Sequence, residues 1–366
     1  MREADLLAVQ EDFVGLVELR DACLEATEET GRQLWGPARY AAYRVALDGP
    51  AELAGAMLEP GVVRFGLGPL TEVVAQHHTF AELAPHVDAA LLPVVAQERV
   101  LRGEDLRGDP RAEGASDDPP LVLQPFEPAY TLPEYRATER LDGSVPEASP
   151  GREVDVPDGS TAPVAALANP VPTLAAPVPT LTRALTRALE DAVAPWTAQS
   201  GGEAHVRAVH GDVVAAVRSV ASAAGAADGT DQHLRELGLR ELGLRELDVP
   251  ELFARLAHAG ASGGVHGRRR GGAAGRSLAW WIARCATGLD REEHVDADEL
   301  EFRLEDVRRV AFRLPGEAAW RLEVALGGPG GPGAHGPREG GPEWAVAIAA
   351  FDRAVAPEEQ PGTAPW

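Results

Sequence analysis

RRVAFRLPGEAAWRLEVAL, residues 308–326, is where the hydrophobic period of this chain changes. Val310, Phe312 and Leu314 alternate with Ala311 and Arg313, and Trp320, Leu322, Val324 and Leu326 alternate with Arg321 and Glu323. A period of two is that of a strand, whose successive side chains point to opposite faces. Trp344, Val346, Ile348 and Ala350 form a third such run, so a small antiparallel β-meander is expected. The connection before that run, 327–342, holds 8 Gly and 4 Pro in 16 residues and reads as a disordered loop. One face of the sheet needs cover, and the apolar segment SLAWWIARCATGL (277–289) is the helix assigned to it.

Upstream of the meander the period is that of helices. Leu6, Val9, Phe13, Leu16, Val17 and Leu24 recur at spacings of three and four, predicting one long first helix stopped by Gly31. Leu34, Ala38, Ala41, Ala42 and Val45 give a second stripe, ended near Asp48-Gly49-Pro50. Short helices follow around 51–58 and 70–76, and a longer one over 86–101, which Pro93 interrupts or kinks. Residues 1–105 thus read as an acidic α-helical domain. Residues 106–180 read as a Pro-rich linker, within which LVLQPFEPAYTLPEYR (121–136) is an apolar docking arm. Residues 181–355 read as an α+β domain and 356–366 as a tail. In that second domain helices are expected over 181–194, 212–222, 250–259, 271–289 and 297–309, with a strand at 204–209. The fold class is α+β, mainly helical: an N-terminal α-helical domain and a C-terminal helical domain with the small meander.

LRELG at 234–238 and 239–243, then LRELD at 244–248, repeat with a period of five. Leucine-rich solenoids need periods of 20 or more residues. The run therefore reads as a copy-slippage expansion in a tolerant loop.

The chain has 366 residues and a net charge of −23, and all 34 of its cationic side chains other than His are Arg. That balance opposes bulk nucleic-acid or membrane-surface binding. The absence of Lys excludes a P-loop lysine and a Schiff-base lysine. Cys23 and Cys285 form no C-x-x-C pair, so neither a disulfide framework nor a thiolate zinc site is indicated. The His residues show no ligand spacing, and DADELE (296–301) lacks the Gly and final Glu of a calcium loop. No metal and no cofactor is expected. Acids break any signal-peptide core at the N-terminus, and a cytoplasmic protein is expected.

The most unusual stretch is SGGVHGRRRGGAAGRSLAWW (262–281). Residues 250–289 hold six Arg and one acid inside an acidic chain. Free N–H groups at a glycine-rich helix start favour an anion, and Arg forks add bidentate recognition of phosphate or carboxylate. His266, Arg268, Arg269, Arg270 and Arg276 are the candidate anion-binding residues. The competing reading, which is preferred, is internal neutralisation: residues 290–306 carry nine acids and two Arg. Pairing of Arg268–Arg276 with Asp296, Asp298, Glu299 or Glu301 would explain the cluster without a ligand. Partner docking is the third possibility. GASGG (260–264) matches G-x-S-x-G, but a helix precedes Ser262 where an esterase needs a strand. Gly260 reads better as the residue ending that helix. Trp280 and Trp281 point about 100° apart on a helix, one to the core and one to a domain seam.

SGGVHGRRRGGAAGRSLAWWIA, AFRLPGEAAWRLEVAL, EWAVAIAAFD, LWGPARYAAYRVALDGP and RFGLGPLTEVVAQHHTFAEL together resemble a family of unknown function found in high-GC, actinobacterial-type bacteria. The resemblance covers about half the chain and brings no activity, cofactor or catalytic residue with it. The resulting expectation is a non-enzymatic protein-interaction or scaffold protein with an unknown protein partner. The alternative is an anion- or nucleotide-phosphate-binding protein, taking a phosphate-bearing small molecule at 266–276. A hydrolase ranks third, since no acid, base and nucleophile come together.

Overall fold

The computed structural model describes residues 2–58, 69–112, 118–137, 180–227, 242–315, 318–328 and 344–352. It is α+β: mainly helical, with one five-stranded antiparallel sheet. The chain divides into two compact units, each discontinuous in sequence. Unit 1 is Met1–Leu123, Tyr130–Ser144 and Arg268–Ala274; unit 2 is Gln124–Ala129, Val145–Gly267 and Gly275–Trp366. Most of the expected Gly/Pro loop, residues 138–179, the first pentapeptide copy, the first three residues of the second and the tail lie outside the described residues. Among the described residues no helix is long and apolar enough to cross a membrane.

Unit 1 carries α1 (Arg2–Val9), α2 (Phe13–Thr30), α3 (Trp35–Asp48), α4 (Ala51–Ala56), α5 (Leu70–His77), α6 (Phe80–Leu83) and α7 (Leu92–Leu101). The single first helix expected from the apolar spacing is two helices. Glu11 adopts a left-handed conformation (φ 55°), and Asp12 then caps α2 by accepting the Gly15 N–H at 2.9 Å. The break leaves Leu6 and Val9 exposed although they sit on the predicted stripe. Gly31 ends α2 in the left-handed conformation as expected. The predicted helix over 86–101 begins only at Leu92. Pro93 falls in its first turn, where the missing N–H leaves no bond unmade, so it starts the helix and does not kink it. Thr79 and Glu82 form a reciprocal capping box on α6. Leu16, Tyr43, Val45, Val73, Val74, Phe80, Leu83 and Val95 make the core, into which Leu121 and Tyr135 are also buried.

Unit 2 carries α8 (Thr180–Gln199), β1 (Glu203–His210), α9 (Val213–Ala227), β2 (Arg245–Glu246), α10 (Val249–Ala261), most of α11 (Gly272–Thr287), α12 (Ala297–Glu305), β3 (Arg308–Ala311), β4 (Trp320–Gly328) and β5 (Trp344–Asp352). The sheet order is β1-β5-β4-β3-β2, antiparallel throughout. β3, β4 and β5 are the expected meander; β1 and β2 extend it at both ends. The end of the pentapeptide run is not a tolerant loop: Arg245 and Glu246 of the third copy pair with Ala311 and Val310, and Leu242 of the second copy is buried with Leu244 and Leu247 of the third.

All nine residues of β5 are buried, which requires cover on both faces. Val213, Ala216, Val217, Val220 and Ala224 of α9 share a core with Ala345, Ala347, Ala349 and Phe351, the odd-numbered side of β5. α8 also packs on β1 and β5, and α10 on β4. Cover therefore comes from α8, α9 and α10. The 277–289 segment, in α11, crosses α10 at glycines. Gly260 lies inside α10, with Ser262 as the cap, so it does not end the helix. A Cβ there would sit 3.2 Å from Gly275 Cα, and one on Gly275 would sit 2.2 Å from the Ala257 carbonyl oxygen and 2.8 Å from Ala261 Cβ. Backbone at the contact cannot yield as a flexible side chain can. Gly275→Ala is expected to cost about 1–3 kcal/mol in urea unfolding. Gly36→Ala, at a helical position with open space around it, should be neutral or slightly stabilising.

Candidate functional site

The arginine-rich approach to α11 is built to receive anions, and the chain supplies its own. Gly271, at φ +106°, turns the backbone so that the first N–H groups of α11 aim outward from the helix start. Within unit 1, Gly272 N–H donates to Glu72 Oε1 at 2.8 Å, and Ala273 N–H donates to Glu98 Oε1 at 2.8 Å. A Cβ on Gly272 would lie 2.8 Å from Leu101 Cδ1 and 3.2 Å from Glu98 Oε2, so glycine is what permits the approach. The anion site that a helix N-terminus creates is thus filled by glutamates from α5 and α7.

Arg269 completes that arrangement. Its Nε donates to Glu72 Oε2 and its Nη2 to Glu72 Oε1, both at 2.8 Å, a bidentate fork on a carboxylate with no solvent exposure. The Tyr135 hydroxyl donates to Glu72 Oε2 as well. Arg102 reaches both acids' helices: its Nη1 donates to Glu98 Oε2 at 3.1 Å and its Nη2 to the Glu72 carbonyl at 3.0 Å. Burial acts to raise both carboxyls, with different outcomes. For Glu72 the Arg269 charge and hydrogen bonds overcome burial and hold the group below the usual carboxylate range. For Glu98, burial and the Glu72 charge win over Arg102, and the carboxyl is pushed up to about 7. Burial and the same Glu72 charge raise the Tyr135 phenol, which stays a donor.

Arg276 has its own partner, within unit 2. Nε donates to Glu127 Oε1 at 2.8 Å and Nη2 to Glu127 Oε2 at 2.7 Å, with both side chains fully buried. Trp280 Nε1 donates to Glu127 Oε1 at 3.0 Å, and the Gln124 N–H to Glu127 Oε2 at 2.9 Å. The rings of Phe126, Phe253 and Trp280 close around the pair, with centroids 5.4–6.1 Å apart. Burial would raise the Glu127 carboxyl, but the Arg276 hydrogen bonds and charge bring it below the ordinary range.

The five candidate residues thus do not share one set of partners. Arg269 and Arg276 are forked onto glutamates distant in sequence. Arg268 and Arg270 are engaged too. His266 is exposed, and its backbone N–H donates to Ser200 Oγ at 2.7 Å. The expectation that Asp296, Asp298, Glu299 and Glu301 neutralise the cluster is corrected for the two arginines whose forks are seen. Asp296 instead caps α12 and Glu299 pairs with Arg303 along it. Sequence reasoning missed Glu72, Glu98 and Glu127. A usable signal existed for Glu98, which sits three residues from both Val95 and Leu101 on a buried helix face, where a lone charge needs a partner.

Other readings find their place. The Ser262 hydroxyl accepts Trp196 Nε1–H at 2.8 Å and is buried beside the end of α10. Trp280 is buried and Trp281 is 38% exposed, its ring 5.5 Å from the Arg284 guanidinium. Both cysteines are free, and burial pushes the Cys285 thiol up to about 12. Among the described residues no group of three or more His, Cys, Asp or Glu could hold a metal ion.

No curated protein and no solved structure matches the chain. A family model does, over residues 1–328, a span that includes the Pro-rich segment and the pentapeptide run and leaves out EWAVAIAAFD (343–352), one of the stretches that carry the sequence resemblance. The chain belongs to the family described as "Family of unknown function (DUF6183)".

Proposed function

We propose that this chain is a cytoplasmic protein-interaction protein in which the arginine-rich start of α11 serves the fold. The observation that carries this reading is that the forks of Arg269 and Arg276, and the first N–H groups of α11, are taken by Glu72, Glu98 and Glu127. Groups so engaged are unavailable to a ligand unless a buried carboxylate is displaced, which costs several kcal/mol by order of magnitude. The outward chemistry is of another kind. Residues 2–30 expose eight acids (Glu3, Glu11, Asp12, Glu18, Asp21, Glu25, Glu28 and Glu29), with Leu6, Val9 and Val14 exposed among them. That mixture suits a partner presenting basic side chains around apolar anchors. Free thiols fit a reducing compartment.

The alternative is an anion or nucleotide-phosphate binder using His266, Arg268 and Arg270. Thermal unfolding with inorganic phosphate and with ATP separates the two readings. The interaction reading expects no saturable rise in Tm. A rise that saturates with ligand and disappears in Arg268→Ala and Arg270→Ala would replace it with the pocket reading.

A further inference from the structure

β1 is a full-length strand left at an open edge. Its eight residues pair with β5 on one side. On the other side, among the described residues, no backbone group of 203–210 bonds to another element, whereas the opposite edge of the sheet is the two-residue β2. An unpaired edge of this length is a template for another strand unless charge or a bulge guards it. The Val206 carbonyl accepts Arg207 Nη1 at 2.8 Å, which marks the even-numbered residues as those whose N–H and C=O face away from β5.

The side chains along this edge are complementary to themselves. Glu203, His205 and Arg207 share one face of the sheet. The Glu203 side chain is partly exposed, with its Oε2 turned inward 3.8 Å from His205 Nε2, and Arg207 is exposed. We propose that two copies of this chain associate by antiparallel pairing of β1 with β1, with the two-fold axis at His205. In that register Glu203 stands opposite Arg207 of the second copy, twice, which sets opposite charges face to face. Ala204 stands opposite Val206, so the outward backbone groups of both bond in pairs. Moving the axis to Val206 sets Arg207 opposite His205, and moving it to Arg207 sets that residue opposite itself. Both alternatives lose the two ion pairs, and the second opposes like charges. The inference does not depend on the acidic surface of α1 and α2.

Sedimentation equilibrium of the full chain over a range of concentrations tests it. A dimer is expected for the wild type. Glu203→Arg and Arg207→Glu each create two like-charge oppositions and should weaken association about tenfold or more. The double variant Glu203→Arg/Arg207→Glu should restore it. Both side chains are partly or largely exposed, so near-UV circular dichroism should stay unchanged in all three. Val206→Pro, which removes an outward N–H, should also dissociate the dimer. A wild type that is monomeric at every concentration overturns the proposal. So does a dimer indifferent to the single reversals, or one that the double reversal fails to rebuild.

Discussion

Glu127→Gln is expected to lower the stability of unit 2 by about 3–5 kcal/mol, because it leaves the Arg276 guanidinium fully buried without its counter-charge. Water cannot replace the carboxylate, since neither side chain has any exposure. Glutamine keeps the shape and one acceptor oxygen, but Arg276 and Trp280 donate three hydrogen bonds to Glu127 and now compete for that oxygen. For a unit of this size the change amounts to a fall in Tm of roughly 10 °C or more. Tryptophan fluorescence is the right observable, because Trp196, Trp280, Trp281, Trp320 and Trp344 all belong to unit 2. The double variant Glu127→Gln/Arg276→Met should lose less than the two single variants summed, as both halves of the charge problem are then removed. A single variant within about 1 kcal/mol of wild type would mean that Arg276 finds another anion, and that Phe126, Phe253 and Trp280 alone hold the segment.

What the sequence disclosed follows from which interactions are local. The β-meander was legible because period-two alternation is a property of the strand itself, as in Trp320–Leu326. The helix starts near 250 and 297 were legible because what fixes them is local: Asp248 accepts the Glu251 N–H and Asp296 the Asp298 N–H. The break at Glu11 was not, because a helical stripe continues through it and only a left-handed backbone ends the first helix. The identity of the arginines' partners was also hidden. Glu72 lies 197 residues from Arg269 and Glu127 lies 149 from Arg276, so nearness in sequence pointed to the wrong acids at 296–301. That the cluster needed neutralising was legible; where the neutralising charge comes from depends on the tertiary fold. The ordered end of the pentapeptide run was hidden for a similar reason, since Leu242 and Leu244 are placed by the core they enter and not by their spacing.

The paired glutamates of unit 1 should give the protein a pH dependence of unusual sign. Glu98 faces Glu72 of α5, Arg102 of its own helix, Arg269, Tyr135 and the Ala273 N–H. Its carboxyl, pushed up to about 7 by burial and by Glu72, binds a proton in the folded state where the unfolded chain has already released one. Between about pH 4.5 and 7 the folded state therefore holds more protons, and stability falls as pH rises through that window. Glu72 acts oppositely: held below the usual range, its contribution is present at higher pH and is lost as pH falls toward its folded value. Glu98→Gln keeps an acceptor for the Ala273 N–H and removes the titration. Its stability relative to wild type is expected to improve by about 1–3 kcal/mol on going from pH 5 to 7.5. The near-UV tyrosine signal reports on this unit, because all four tyrosines belong to it. Taking the difference between variant and wild type cancels the histidines and surface acids that titrate in both. A difference that is flat across this range would show that Arg102 and the α11 N-terminus stabilise the Glu98 anion fully. Both glutamates would then be permanent counter-ions to the helix start, and the two acids would divide the anion site without a shared proton.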